Sequence, residues 1–346
     1  MFCLLLLNNP EVLTLTNVLL LLFGLGIILV SAELFTNGVE WLGKKLHLNE
    51  GTVGSILAAV GTALPESVIP IIAILSATGQ NAIDIGIGAI LGAPFVLSTL
   101  ALAIAGVAGL LWKRHGSRRR IMHCNRLVMT RDLQFFLGAY GLVIITAFLP
   151  SDLKYFIPPL LLAIYVIYVI KTLKCSGDTE PDSEINPLFF ARAKADPSLF
   201  LVLLQVAAGL AGIVYGAHLF VNVIEKLAAL LGVSAFILAF VISPIATELP
   251  EKVNSLIWIR QGKDTLALGN ITGAMVFQST VIPAMGIALT PWQLSPPALT
   301  SALLSVAAAG FIWYRLKSTG QIKPRTLAYN GLLYCLFIAA LAYNFS

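Results

Sequence analysis

The chain has 346 residues, of which 58% are hydrophobic and 11% are charged. Soluble domains carry roughly 25% charged residues, so this composition excludes an ordinary soluble globule. The apolar runs reach the ~20 residues that a helix needs to cross a bilayer. The net charge of +5 resides in short loops, which argues against nucleic acid as a partner. The first residues lack a basic segment and a cleavage site, so we expect no signal peptide. The composition therefore predicts an all-α integral membrane protein.

Ten apolar segments follow one another along the chain. We place them at 13–33, 52–77, 82–111, 132–149, 155–173, 199–222, 233–259, 264–289, 296–314 and 326–344. The longest polar stretch, 175–197, lies between the fifth and sixth segments and predicts a cytoplasmic linker. The predicted organisation is thus a first five-span repeat at 1–174, the linker, and a second five-span repeat at 198–346.

The distribution of basic residues predicts the orientation. With the N-terminus outside, nearly every loop Lys and Arg falls on the cytoplasmic side, and only Lys154 and Lys226 fall outside. Cytoplasmic loops are enriched in Lys and Arg in this way. Five spans is an odd number, so the second half enters the membrane in the opposite sense. The pattern predicts an inverted repeat, which is common among secondary transporters.

A polar string occurs twice inside apolar sequence. The first copy runs from Thr62 to Glu66 and the second from Thr247 to Glu251, 185 residues later. Further downstream, Gly88 and Gly92 match Gly269 and Gly273 at an offset of 181. A buried acidic site that is duplicated in a membrane chain indicates an ion pathway.

The residue types in each copy suit a hard cation. Thr62 and Glu66 are four residues apart and share a helix face, as do Thr247 and Glu251. Pro65 and Pro250 each free the carbonyl four residues earlier, those of Gly61 and Ala246. Carboxylate, hydroxyl and carbonyl oxygens are the ligands of calcium and sodium. Prolines that only kink helices are the structural alternative, but duplication in inverted register favours the ion site.

These strings resemble the G-T-S-L-P-E signature of the α-repeats in the cation/calcium exchanger superfamily, which includes sodium/calcium exchangers. The resemblance covers nearly the whole chain in span number and topology. It implies that spans two, three, seven and eight surround the ions, while spans one and six slide past that core. It also implies that Glu66 and Glu251, with Thr62 and Thr247, bind the cation.

The chain departs from the family pattern at several positions. The motif serine is Ala63 in the first copy and Glu248 in the second. In the third and eighth spans the family has G-N-x-x-G-S-N, and Asn270 is the only amide that remains here. The missing amides help to form the family's sodium sites. Coupling to protons therefore stays open beside coupling to sodium.

Two further pairs of polar residues have open roles. Lys252 lies four residues after Glu248, the favourable order for an ion pair. Its ammonium either occupies a cation subsite, pairs with Glu248 to fix the helix, or reaches into a water-filled cavity. Asn254 flanks a polar stripe on one helix face, formed at four-residue spacing by Ser243, Thr247, Glu251 and Ser255. Glu33 and His218 are equivalent at the 185-residue offset and either sense protons at the gate or face a water-filled cavity.

The sequence thus predicts an antiporter that exchanges a divalent cation, foremost calcium, for sodium, with protons as the alternative coupling ion. We expect inorganic cations and membrane lipids as partners, no cofactor, no enzymatic activity, and a monomer. A channel is disfavoured because no filter loop is visible. An intramembrane hydrolase is disfavoured because no Ser/His pair, H-E-x-x-H motif or aspartate pair is present.

Overall fold

The computed structural model describes residues 10–46, 66–75, 80–112, 121–175, 186–194 and 196–343, and almost all of them are helical. The helices are α1 (Pro10–Lys45), α2 (Glu66–Leu75), α3 (Gln80–Val96), α4 (Leu102–Leu111), α5 (Arg126–Thr146), α6 (Ser151–Lys154), α7 (Ile157–Cys175), α8 (Leu199–Leu231), α9 (Ala235–Gln261), α10 (Asp264–Leu289), α11 (Pro296–Thr319), α12 (Pro324–Ala328) and α13 (Asn330–Tyr343). A π-helical turn, Leu97–Ala101, joins α3 to α4 without a break. The all-α membrane fold expected from composition is confirmed.

Seven helical stretches of the described chain are long and apolar enough to cross a membrane, and Glu66–Leu75 and Ala235–Ile245 are shorter apolar helices. The number ten stays a prediction. Two predicted boundaries are wrong. The helices α1 and α8 have 36 and 33 residues, well beyond the predicted segments 13–33 and 199–222. They continue because their apolar faces keep packing past the predicted ends, as the buried Phe35, Val39 and Ile224 show.

The start of the fourth span also needs correction. The helix α5 begins at Arg126 rather than at residue 132, because Asn125 caps it. The Asn125 side chain accepts hydrogen bonds from the backbone N–H groups of Leu127 (3.0 Å) and Val128 (3.2 Å). This is the usual N-cap arrangement, and it extends the helix through polar residues that hydropathy alone assigns to a loop.

One compact unit of the chain comprises residues 1–86 and 171–235. Within it, α1 and α8 pack along each other at very short range. A Cβ added at Gly209 would lie 2.8 Å from the backbone nitrogen of Phe35, and one at Gly216 would lie 2.7 Å from the Ile28 side chain. Small residues allow membrane helices to approach this closely. The two helices therefore form a tight pair.

The end of the predicted linker is attached to this helix pair. The Asn186 carbonyl accepts hydrogen bonds from Asn37 Nδ2 (3.0 Å) and Trp41 Nε1 (2.9 Å) of α1. From α8, Gln205 Nε2 donates to Asn37 Oδ1 (2.9 Å), and Gln205 Oε1 accepts from the backbone N–H of Phe190 (3.0 Å). Residues 186–190 are therefore part of the packed unit, and the sequence did not reveal this.

The second compact unit comprises residues 87–170 and 236–346. Here α3 lies directly on α9. A Cβ added at Gly88 would lie 2.5 Å from the Phe236 carbonyl oxygen, and one at Gly92 would lie 2.7 Å from Pro244 Cγ. Phe95 continues the contact and packs against Phe240, with ring centroids 5.4 Å apart. These glycines set the distance between the two helices.

The helices α5 and α10 pack in the same unit and share a buried polar contact. Asp132 of α5, 1% exposed, accepts from Arg131 Nη2 (3.0 Å) and from the Thr272 hydroxyl of α10 (2.8 Å). The loop before α5 is also fixed, because the backbone N–H of His123 donates to Asp264 Oδ2 (3.0 Å). The position of α10 relative to α5 is thus set at several points.

Candidate cation site

The predicted polar stripe of α9 points into the protein. Ser243, Thr247 and Ser255, spaced four or eight residues apart, are all buried. The Thr247 hydroxyl donates to the Ser243 carbonyl one turn earlier (3.0 Å), the usual way for a threonine inside a helix. The stripe predicted from the i, i+4 spacing therefore lies on a buried face of the helix.

Beside this stripe lies a carboxylate that is fully buried. Glu248 is 0% exposed, and its Oε1 accepts a hydrogen bond from Gln278 Nε2 of α10 at 2.9 Å. Gln278 itself is buried. Burying a charge is unfavourable unless it is paired or hydrogen-bonded, so the amide orients and stabilises this carboxylate. Gln278 was not among the predicted site residues, and it holds one of them in place.

A second contact joins the same two helices. Asn270 Nδ2 of α10 donates to Ser255 Oγ of α9 at 3.3 Å. Asn270 is the one amide that remains of the family's motif in the third and eighth spans, and Ser255 is 1% exposed. Two polar contacts, separated by about two turns on each helix, therefore fix α9 and α10 side by side.

The first copy of the motif is described only from Glu66 onward. Glu66 and Ser67 are buried in the first compact unit, with Glu66 8% exposed. A carboxylate buried in a membrane helix is the feature that the sequence predicted at this position. Thr62 and Gly61 lie outside the described residues, so their part in the site stays a prediction.

Several predicted site residues of the second copy have side chains outside the described part of the chain. The backbone of α9 is helical through all of these positions, which are Ala246, Glu251, Lys252 and Asn254. The proposed roles of Glu251 as a ligand and of Lys252 as a partner of Glu248 therefore stay predictions. Glu33 and His218 lie on the exposed surface of the α1–α8 pair.

No group of three or more His, Cys, Asp or Glu side chains that could hold a metal occurs within the described residues. The oxygen donors observed on α9 are instead a carboxylate and hydroxyl groups, with an amide from α10. Such donors suit a hard cation and not a soft metal. A carboxylate buried in this way is stabilised in its ionised form by a nearby cation, and a proton removes its charge.

Sequence reasoning also missed Asp132. Arg131 was counted only as a basic residue that orients the chain, although the pair Arg131–Asp132 stands at the start of an apolar run. An acidic residue next to a basic one at a span boundary is a signal that could have found it, because a charge in a membrane helix needs a partner.

Comparisons with known proteins agree with this geometry. The family profile "Sodium/calcium exchanger protein" matches residues 16–174 and 201–345. The sodium/calcium exchanger MaX1 of Methanosarcina acetivorans is 24% identical over 356 aligned positions, which cover 94% of this chain and 99% of MaX1.

Two solved structures share the fold. The H+/Ca2+ exchanger CAX superposes with a TM-score of 0.75 at 15% identity, covering 94% of this chain and 82% of CAX. The sodium-calcium exchanger NCX_Mj superposes with a TM-score of 0.54 at 21% identity, covering 93% and 97%. The profile covers most of both predicted halves. This chain therefore belongs to the sodium/calcium exchanger protein family, a family of membrane antiporters.

Proposed function

We propose that the protein is a secondary active antiporter that exchanges a divalent cation, foremost calcium, for sodium. The observation that carries this proposal is the fully buried Glu248, held by Gln278 between two membrane helices. In this proposal the charges of the predicted site residues sum to minus two, which suits one divalent cation in a region of low dielectric; the residues are Glu66, Glu248, Glu251 and Lys252. Divalent cargo supplies the matching positive charge, and the neighbouring hydroxyl groups supply neutral oxygen ligands.

Alternating access then proceeds by sliding of α1 and α8. The two helices pack through glycines and form a compact unit together with the end of the linker. A tight pair moves as one body more readily than two helices that pack separately. In this proposal, cation binding neutralises the glutamates, and only the neutral state lets the pair slide.

Proton coupling is the second candidate. In α3, the positions that match the family's amides and serine are Ala89, Ala93 and Pro94, and all three are buried and apolar. These positions offer no side-chain oxygen to sodium. Carboxylates can be neutralised by protons instead, which favours exchange of calcium for protons.

Calcium flux in proteoliposomes tests the proposal, with the sodium gradient and the pH gradient imposed separately at clamped voltage. Sodium-driven, sigmoidal calcium uptake that is insensitive to pH supports sodium coupling. Uptake driven by the pH gradient alone supports proton coupling. Calcium that does not move with either gradient would contradict the antiporter itself.

Calorimetry on charge-removing variants tests the site. Glu66→Gln and Glu251→Gln keep the side-chain shape and remove the charge, so each should weaken calcium binding at least a hundredfold. Glu40→Gln and Glu225→Gln are matched controls, because they are also a glutamate pair at the 185-residue offset. Equal losses in both pairs would contradict a site at Glu66 and Glu251.

A further inference from the structure

A cavity of about 360 Å³ opens between the start of α5 and the end of α11. It is lined by Arg126, Leu127, Thr130, Arg131, Gln134 and Lys317. Three of these six residues are cationic, and no acidic residue lines the cavity. The two helix ends that form it are ends of candidate membrane spans, and the ends of such spans reach the level of the lipid headgroups.

The cations of this cavity differ in how they are held. Arg131 is fixed on one side by two hydrogen bonds to Asp132 Oδ1, and its guanidinium lies 5.4 Å from the centre of the Tyr168 ring. Arg126 Nη2 donates to the Lys317 carbonyl at 3.2 Å, which brings both side chains to the cavity. Neither Arg126 nor Lys317 forms an ion pair within the described residues. Within the described residues, the charges of Arg126 and Lys317 at this cavity are therefore not balanced by an acidic partner.

The cavity wall also contains a hydroxyl group, that of Thr130. Thr130 Oγ1 is buried and makes no hydrogen bond within the described residues. A buried polar group without a partner is unfavourable, and an oxygen atom of a ligand would accept a hydrogen bond from this hydroxyl. Gln134 adds an amide donor to the same wall. The donors around the cavity thus match a group with several negative oxygen atoms.

The surroundings of the cavity fit a ligand that belongs to the membrane. Leu127, at the rim, is 81% exposed. Lys317 lies over the Trp313 ring, 4.9 Å from its centre, and tryptophan is enriched at headgroup level. Basic pockets between span ends bind phospholipid headgroups in other membrane proteins.

We propose that this cavity binds a phosphate group, carried by an anionic phospholipid or free in solution. Arg126 and Lys317 supply the charge, Arg131 supplies an oriented guanidinium, and Thr130 and Gln134 donate to the remaining oxygen atoms. The site is independent of the proposed cation exchange, because none of its residues belongs to the motif copies.

Native mass spectrometry of the protein in a neutral detergent tests this site. The protein is taken from vesicles of phosphatidylglycerol and phosphatidylcholine, and the retained lipid is counted. The Arg126→Gln, Lys317→Gln double variant should lose retained phosphatidylglycerol by roughly fivefold for each cation removed, since one basic residue near an anionic surface contributes about that factor. Lys323→Gln is the matched control, because this exposed lysine does not line the cavity.

A second arm separates the two sources of phosphate. Inorganic phosphate is titrated against the delipidated protein while its melting temperature is followed. The site is assigned to free phosphate if phosphate raises the melting temperature, the double variant abolishes this rise, and the unmodified protein retains no lipid. Thr130→Val keeps the side-chain shape and should weaken whichever ligand binds. Equal losses in Lys323→Gln, or no retention and no thermal shift in the unmodified protein, would overturn the proposal.

Discussion

The helices α3 and α10 carry the same pair of glycines, four residues apart, in opposite surroundings. In α3, a Cβ added at Gly88 or Gly92 would collide with the backbone of α9. In α10, one added at Gly269 would meet no described residue within 4 Å, and one at Gly273 would meet, among the described residues, only the Tyr168 hydroxyl at 3.5 Å. Within the described residues, the same motif therefore sets a close helix contact in the first half, whereas the second copy makes no close backbone contact.

Polar side chains show the reverse distribution. At the 185- and 181-residue offsets, Glu248 and Gln278 are matched by Ala63 and Leu97, and Asn270 is matched by Ala89. The contacts between α9 and α10 are thus built from residues whose first-half counterparts are apolar. The comparison teaches that the first copy sets the packing distance, whereas the second copy supplies oxygen and amide groups.

The largest expected effect comes from the glycines. Gly92→Ala should destabilise the protein by about 3 kcal/mol, because its Cβ would press on the Phe240 carbonyl and Pro244, neither of which can rotate away. Gly273→Ala is the matched control and should be neutral or stabilising, since alanine favours the helix. Thermal melting in detergent measures both. Similar losses of stability in Gly92→Ala and Gly273→Ala would contradict the difference in packing between the two glycine pairs.

The next effect concerns the buried carboxylate. Gln278→Leu copies the residue found at position 97 and removes the donor to Glu248, which should cost about 2 kcal/mol because the carboxylate loses its hydrogen bond. Adding Glu248→Ala, which copies Ala63, should recover part of the loss, since the carboxylate that lost its donor is then removed as well. Melting of both single variants and the double variant checks this, and additive losses would contradict coupling.

A smaller effect is expected where α10 meets α5. Thr272→Val removes one of the hydrogen bonds to Asp132, while Arg131 still donates to the same carboxylate. The loss should be about 1 kcal/mol by thermal melting. Ser279→Ala is the control, because in the described part of the chain the Ser279 hydroxyl donates to the backbone of its own helix. A larger loss of stability in Ser279→Ala than in Thr272→Val would contradict a stabilising role of the Thr272–Asp132 hydrogen bond.

The smallest effect concerns the linker that separates the halves. Lys45 forms an ion pair with the exposed Asp196 and thereby lowers the pKa of that carboxyl. A lowered folded-state pKa gives stability that is present above the unfolded value of about 3.9 and is lost as pH falls below it. Hydrogen exchange of residues 186–198 should therefore rise in acid more than exchange of α10 does. In Asp196→Asn, hydrogen exchange of residues 186–198 should be the same at neutral and acidic pH. If exchange still rises in acid in this variant, Asp196 is not the group responsible.

Much of this architecture follows from the sequence, because membrane helices must be long and apolar. The spans, the α9 stripe and the buried Glu66 followed from length, spacing and charge. Hydrogen-bond partners that lie on distant helices could not be predicted in this way. From the sequence, polar helix packing explains Gln278 as well as a place in the core does, and only the structure shows that it reaches Glu248, 30 residues away. Asp132 and Asn37 were missed for the same reason, since their partners Thr272 and Gln205 lie more than 130 residues away.

The lengths of α1 and α8 have a consequence for the bilayer. At 1.5 Å per residue these helices extend about 54 and 50 Å, against a hydrocarbon core of ~30 Å. The 21-residue α5, at about 32 Å, matches the core closely. A matched helix resists displacement along its axis, because any shift exposes its apolar surface to water. The helices α1 and α8 are longer than the hydrocarbon core is thick, so a small axial shift still leaves the core spanned by helix. Hydrophobic mismatch therefore opposes their axial displacement only weakly.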